Sequence, residues 1–118
     1  MPAKRAAGVV AFLEGRAPLV AEIYDALVKG AKKFGPVTED PKKTSIHLVR
    51  RTAFAGFNPT KSTVSITIRL THDIDNPRIA KHEQASANRW HLDLKIASAA
   101  EVDAQLIAWL REAYDLSA

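Results

Sequence analysis

Six side chains have the types and spacing to hold an anion: His47, Arg51, Arg69, Lys81, Arg89 and His91. Arginine presents a rigid fork of N–H donors that matches phosphate or carboxylate oxygens. Histidine adds a charge that comes and goes between about pH 5 and 8. Arg69 and His91 carry the central expectation. Each falls on the polar parity of a strand, with no apolar residue beside it on that face. If the two strands are neighbours, the pair comes within cross-strand reach. An anion bound there should hold more tightly as pH falls from about 8 to 6, and less tightly in salt. Asp93 shares the parity and would cancel the site by pairing with Arg69 or Lys95.

Other chemistries find less support. No phosphate-loop or dinucleotide glycine pattern is present, and no HExxH. The run THDID gathers His72, Asp73 and Asp75, a grouping that could touch a cation. It lacks a further spaced ligand, so no metal site is assigned. The absence of cysteine excludes disulfides and thiolate metal sites. No Ser–His–acid arrangement can be read from the serines and threonines near His47. No catalytic residue and no cofactor are therefore assigned. An enzyme built on His47 or His91 ranks third among the functional readings. Trp90, Trp109, Tyr24 and Phe34 lie at core spacing and are read as packing.

Alternation and helical periodicity define the elements that must position these groups. A short apolar cluster, Val9 to Leu13, reads as a helical turn or two ended by Gly15. Pro18 suits the first turn of a second helix, whose apolar face runs through Val20, Ile23, Tyr24, Leu27, Val28, Ala31 and Phe34. Gly35-Pro36 stops it, and Val37 to Lys43 reads as a loop. Strands are expected over Ser45 to Arg51, Ala53 to Phe57, Thr63 to Thr71 and Arg89 to Ala97. The last two alternate most cleanly. Phe54 and Phe57 have opposite parity, which leaves the inward face of the second strand undecided.

The stretch His72 to Asn88 reads as a long connection with a helical turn over Ile79 to Glu83. It is expected to cross one end of the sheet and bring Lys81, Ser86 or Asn88 near the start of the Arg89 strand. Ser98 and Glu101 have capping-box spacing ahead of a final helix with Val102, Leu106, Trp109, Leu110 and Ala113 on one face. Trp109 and Leu110 are expected to be buried against the sheet.

Strands buried on both faces would be apolar throughout, and these are half polar. The expected fold is a single α+β domain spanning residues 1–118. N-terminal helices lead into about four mostly antiparallel strands, and a C-terminal helix packs on one sheet face. The other face is left to water or a partner.

The 118 residues suffice for one core. Formal charge is +4, concentrated between Lys29 and Arg51 around the run PKKTSIHLVRR, while the tail from Glu101 is acidic. A basic side attracts phosphate or acidic partners. No apolar run approaches the roughly 20 residues of a membrane span, and Glu14 and Arg16 break the N-terminal apolar stretch. A cytoplasmic protein that does not engage membrane is expected.

Three segments also resemble a family: GPVTEDPKKTSIHLVRRTAFAGF, NPRIAKHEQASANRWH and EVDAQLIAWLREAYDL. They look like an uncharacterised bacterial domain-of-unknown-function family whose members are called hypothetical or sometimes predicted transport proteins. Its members occur alone or as the C-terminal part of small two-domain proteins, and this chain would be a stand-alone member. The resemblance runs from about Phe12 to Leu116 and implies an α+β domain. It implies no established activity and carries no catalytic residue over.

The first functional expectation is a binding module for an anionic small molecule or nucleic acid. The second is an interaction module that pairs its open sheet face or an edge with another copy or another protein.

Overall fold

The computed structural model describes residues 7–16, 18–60 and 63–117. Helix α1 (Ala7–Leu13) and helix α2 (Pro18–Lys32) precede five consecutive entries into one sheet: β1 (Thr38–Pro41), β2 (Ile46–Val49), β3 (Ala53–Pro59), β4 (Val64–Leu70) and β5 (Ile79–Ser86). Strand β6 (Arg89–Ile96), a 3₁₀ turn (Ala99–Glu101) and helix α3 (Ala104–Leu116) follow. The strand order is β1-β2-β3-β4-β6-β5, and every neighbouring pair is antiparallel. The α+β class therefore stands, with six strands where about four were expected.

The two additional strands lie at the edges. β1 occupies the acidic part of the expected 37–43 loop, and β5 replaces the expected helical turn after Ile79. β5 turns through Ala87 and Asn88 straight back into β6, so Ser86 pairs with Arg89. The long connection thus ends as a hairpin at the start of the Arg89 strand. Its paired backbone groups are satisfied by β6 rather than by a helical turn.

Both longer helices cover the same sheet face. Ile46, Leu48, Phe57, Val64, Ile66, Ile68, Leu92 and Leu94 are fully buried beneath them. Tyr24 of α2 meets the Phe57 ring edge-on at 4.9 Å, and Phe54 meets Tyr114 of α3 at 5.4 Å. The parity conflict of Phe54 and Phe57 is resolved by a bulge. Leu48 pairs with Ala55 and Val49 with Ala53, so Phe54 is the extra residue and turns inward.

The C-terminal helix starts later than its sequence suggests. Glu101 accepts from the Ser98 N–H at 3.1 Å, but this caps only the 3₁₀ turn. Asp103 caps α3 by accepting from Leu106 N–H at 3.1 Å. Leu110 is fully buried, whereas Trp109 is half-exposed at the side of the core with Arg78 above its ring. Gly35 (φ 150°) makes the turn after α2, where a Cβ would overlap the Tyr114 hydroxyl. That hydroxyl donates to the Pro36 carbonyl at 3.1 Å.

Candidate functional site

The uncovered sheet face is polar because alternate residues of every central strand point to it. The pairing register sorts it into rows. One row runs Asp40, His47, Gly56, Thr67, Asp93, Lys81. The adjacent row places Arg69 opposite His91, and His91 opposite Glu83. The condition set for the Arg69–His91 pair is met, since β4 and β6 are neighbours.

Asp93 does not neutralise Arg69. Its carboxylate accepts from the Thr67 hydroxyl at 2.6 Å, and it forms no ion pair with Arg69 or Lys95. Arg69 Nη1 instead donates to the Ala53 carbonyl at 3.4 Å, which draws its guanidinium toward the end of the sheet. His91 Nδ1 lies 3.8 Å from Glu83 Oε1.

At that end is a pocket of about 110 Å³. Arg69 and Arg89 both line it, together with Thr71 and Asn88 on the strand side. Its opposite wall is the end of α3 stapled to the β2–β3 turn. Ser117 Oγ donates to the Thr52 carbonyl at 2.6 Å and accepts from Thr52 N–H at 3.0 Å. Arg51 N–H donates to the Ser117 carbonyl at 3.3 Å. Arg50 lies over the Tyr114 ring at 4.2 Å and donates to the Tyr114 carbonyl at 3.1 Å. The Arg50 cation and the Arg51 N–H answer the negative end of α3, which would otherwise oppose an anion here.

The six residues expected to bind an anion are thus not one cluster. Arg69 and Arg89 share the pocket, Arg51 sits on the turn that forms its wall, and His91 adjoins Arg69 on the open face. His47 and Lys81 lie in the other row, four strands apart. At roughly 4.8 Å per strand spacing they are about 19 Å from each other and cannot both touch one small ligand. Lys81 is further engaged by Glu83 at 3.5 Å.

Thr52, Leu116 and Ser117 were not singled out from the sequence. Nothing in their local pattern marks them, because the pocket joins segments far apart in the chain.

The THDID residues are held elsewhere. His72 Nε2 meets Glu112 Oε2 at 2.6 Å, and His82 Nδ1 meets Asp73 Oδ1 at 2.5 Å. The His72 imidazole is pushed above its ordinary range, first by the Asp73 backbone carbonyl and then by the Glu112 carboxylate. The Asp73 carboxyl is held below its usual range, chiefly by the hydrogen bond from His82. Among the described residues, no three histidine or carboxylate side chains are arranged to hold a metal ion. Nor is any described helix long and apolar enough to cross a membrane.

No curated protein and no solved structure matches the chain. Residues 9–117 match the family model described as "Domain of unknown function (DUF5655)", and the chain belongs to that family.

Proposed function

We propose that the protein is a non-enzymatic binding module whose arginine-lined pocket holds the anionic group of a small molecule. One observation carries this reading. Arg69 and Arg89 line the same pocket, and neither forms an ion pair among the described residues. Arg69 is half-buried and Arg89 exposed, and a guanidinium that has lost part of its water without gaining a counter-charge, as Arg69 has, favours an incoming anion. His91 stands beside Arg69 on the open-face side, with Glu83 competing for it. The bacterial and cytoplasmic setting expected from the sequence belongs to this same reading.

Within the anionic class a small molecule fits better than nucleic acid. Single-strand binders stack bases on exposed aromatic rings. Here Tyr24, Phe54, Phe57 and Tyr114 are buried, and Trp90 takes the helix-side parity opposite Leu70.

The test is a phosphate titration followed by NMR of the arginine Nε–Hε signals and the backbone amides. Arg69 and Arg89 signals should move at millimolar phosphate, the response should weaken in salt, and Arg69→Ala or Arg89→Ala should abolish it. A short single-stranded DNA should bind no more tightly than its phosphates account for. Unmoved arginine signals would remove the anion reading.

A second reading, self-association, is favoured by the outer edge of β5. Ala80 to Ser86 are all exposed, and β5 ends the sheet. Such an edge can add a strand from another copy. A dimer mass in light scattering without any anion response would support it in place of the first.

A further inference from the structure

Resting on the anion-pocket reading, we infer that the bound anion is amphiphilic: a carboxylate or phosphate monoester carrying a short apolar group of roughly four carbons. Leu116 is the only large hydrophobic residue exposed among those described, at 50%. A single exposed leucine is ordinary by itself. This one stands on the rim of the pocket that collects Arg69 and Arg89.

The lining is divided. Arg69 and Arg89 supply charge from β4 and β6, while Ala113 and Leu116 of α3 face them with Phe54 and Leu70 beneath. A bare inorganic anion would satisfy the first wall and leave Leu116 in water. An anion with an apolar stem satisfies both, because burying each methylene against that wall is favourable.

The cavity of roughly 110 Å³ opens to solvent, so it seats the head group while the stem lies along the Leu116 rim. The Thr71 hydroxyl adds a donor near the head group, whereas the Thr52 and Ser117 hydroxyls are engaged with each other and with the Thr52 carbonyl.

The experiment measures affinities by NMR at constant ionic strength for acetate, butanoate, inorganic phosphate and butyl phosphate. It uses the wild type, Leu116→Ser and Arg89→Ala. A buried methylene raises affinity up to about fourfold, so butanoate should bind about five- to fifteenfold more tightly than acetate. Butyl phosphate should exceed inorganic phosphate by at least as much. Leu116→Ser should erase both chain-length gains while inorganic phosphate stays within about twofold of the wild type, because Leu116 touches only the stem. Arg89→Ala should weaken all four ligands.

Comparison of butanoate with butyl phosphate identifies the preferred head group. Equal affinities for acetate and butanoate, with phosphate still moving the arginine signals, would overturn the amphiphile and leave the anion pocket standing. A chain-length gain that survives Leu116→Ser would also overturn it, since the stem would then lie elsewhere. Silence from all four ligands would remove the pocket reading as well.

Discussion

Arg69 and His91 stand directly opposite each other on β4 and β6, yet their side chains are drawn to different partners. Arg69 reaches back to the Ala53 carbonyl and lines the end pocket, while His91 faces Glu83 on β5. The backbone register brings the pair together, and the neighbours on either side decide what each can hold.

Glu83 is the carboxylate to remove. Glu83→Gln should raise phosphate affinity about two- to threefold at pH 6 and low salt, a modest gain because these groups are solvent-exposed and screened. The substitution also frees Lys81, which pairs with Glu83 at 3.5 Å. The control is the same change in a His91→Gln background, where the gain should vanish. If it persists there, His91 has no part in the site and Lys81 does.

These relationships were only partly legible in the sequence. α2, β4 and β6 were readable because burial on one side imposes a period of 3.6 or 2 on the apolar residues. β5 after Ile79 is exposed on both faces, so no alternation marks it, and Ile79 to Glu83 read as a helical turn within a long connection. β1 is four residues, Thr-Glu-Asp-Pro, with little strand propensity. The bulge at Phe54 depends on which residue of β2 it opposes, which its own strand cannot show. The parity of Arg69 and His91 was visible, and their adjacency was not, because strand order is a tertiary fact. The pocket adds the end of α3 to strand residues distant in the chain, so Leu116 carried no signal at all.

Leu110 tests the packing of α3 on the sheet. It is fully buried over β3 and β4, and Leu110→Ala should cost about 2–5 kcal/mol. Urea unfolding measures it. A loss under about 0.5 kcal/mol, the scale of an ordinary surface change, would mean that α3 does not close the core.

Gly35 and Tyr114 form a testable pair. Gly35→Ala should destabilise by more than about 1 kcal/mol, because alanine is strained at positive φ. It also meets the Tyr114 hydroxyl, which is fixed by its bond to Pro36. Tyr114→Phe removes that hydroxyl, so the double variant should lose less than the sum of the singles, with a coupling of roughly 0.5–2 kcal/mol. Strict additivity would show that backbone strain alone is responsible.

Arg78 ties the β4–β5 connection to the start of α3. It donates to Asp103 at 2.9 and 3.1 Å, to Gln105 at 3.0 Å and to the Glu101 carbonyl at 2.8 Å. The Asp103 carboxyl is held below its usual range, first by the Leu106 N–H and then by this guanidinium. Arg78→Ala should cost about 1–3 kcal/mol, since several hydrogen bonds involving charged groups are lost at a partly exposed site. Arg78→Lys should recover little of it, because an ammonium cannot reach the carboxylate, the amide and the carbonyl with one planar fork. Equal stability of the lysine variant and the wild type would reduce Arg78 to a point charge.

His72 gives stability a pH dependence whose sign can be worked out. Its folded pKa lies above the ordinary histidine value near 6.5, chiefly through the Asp73 carbonyl and then the Glu112 carboxylate. A group whose pKa is raised on folding binds its proton more tightly in the native state. Its stabilising contribution is therefore fully present below about pH 6.5 and is lost as pH rises through the raised folded value. His72→Gln should destabilise more at pH 5.5 than at pH 8.5, by a small amount because the pair is solvent-exposed. Urea unfolding of both proteins at the two pH values gives the difference directly. A gap that is equal at both, or larger at pH 8.5, would show that His72 acts there as a neutral hydrogen-bonding ring and that the Glu112 contact adds no charge to the fold.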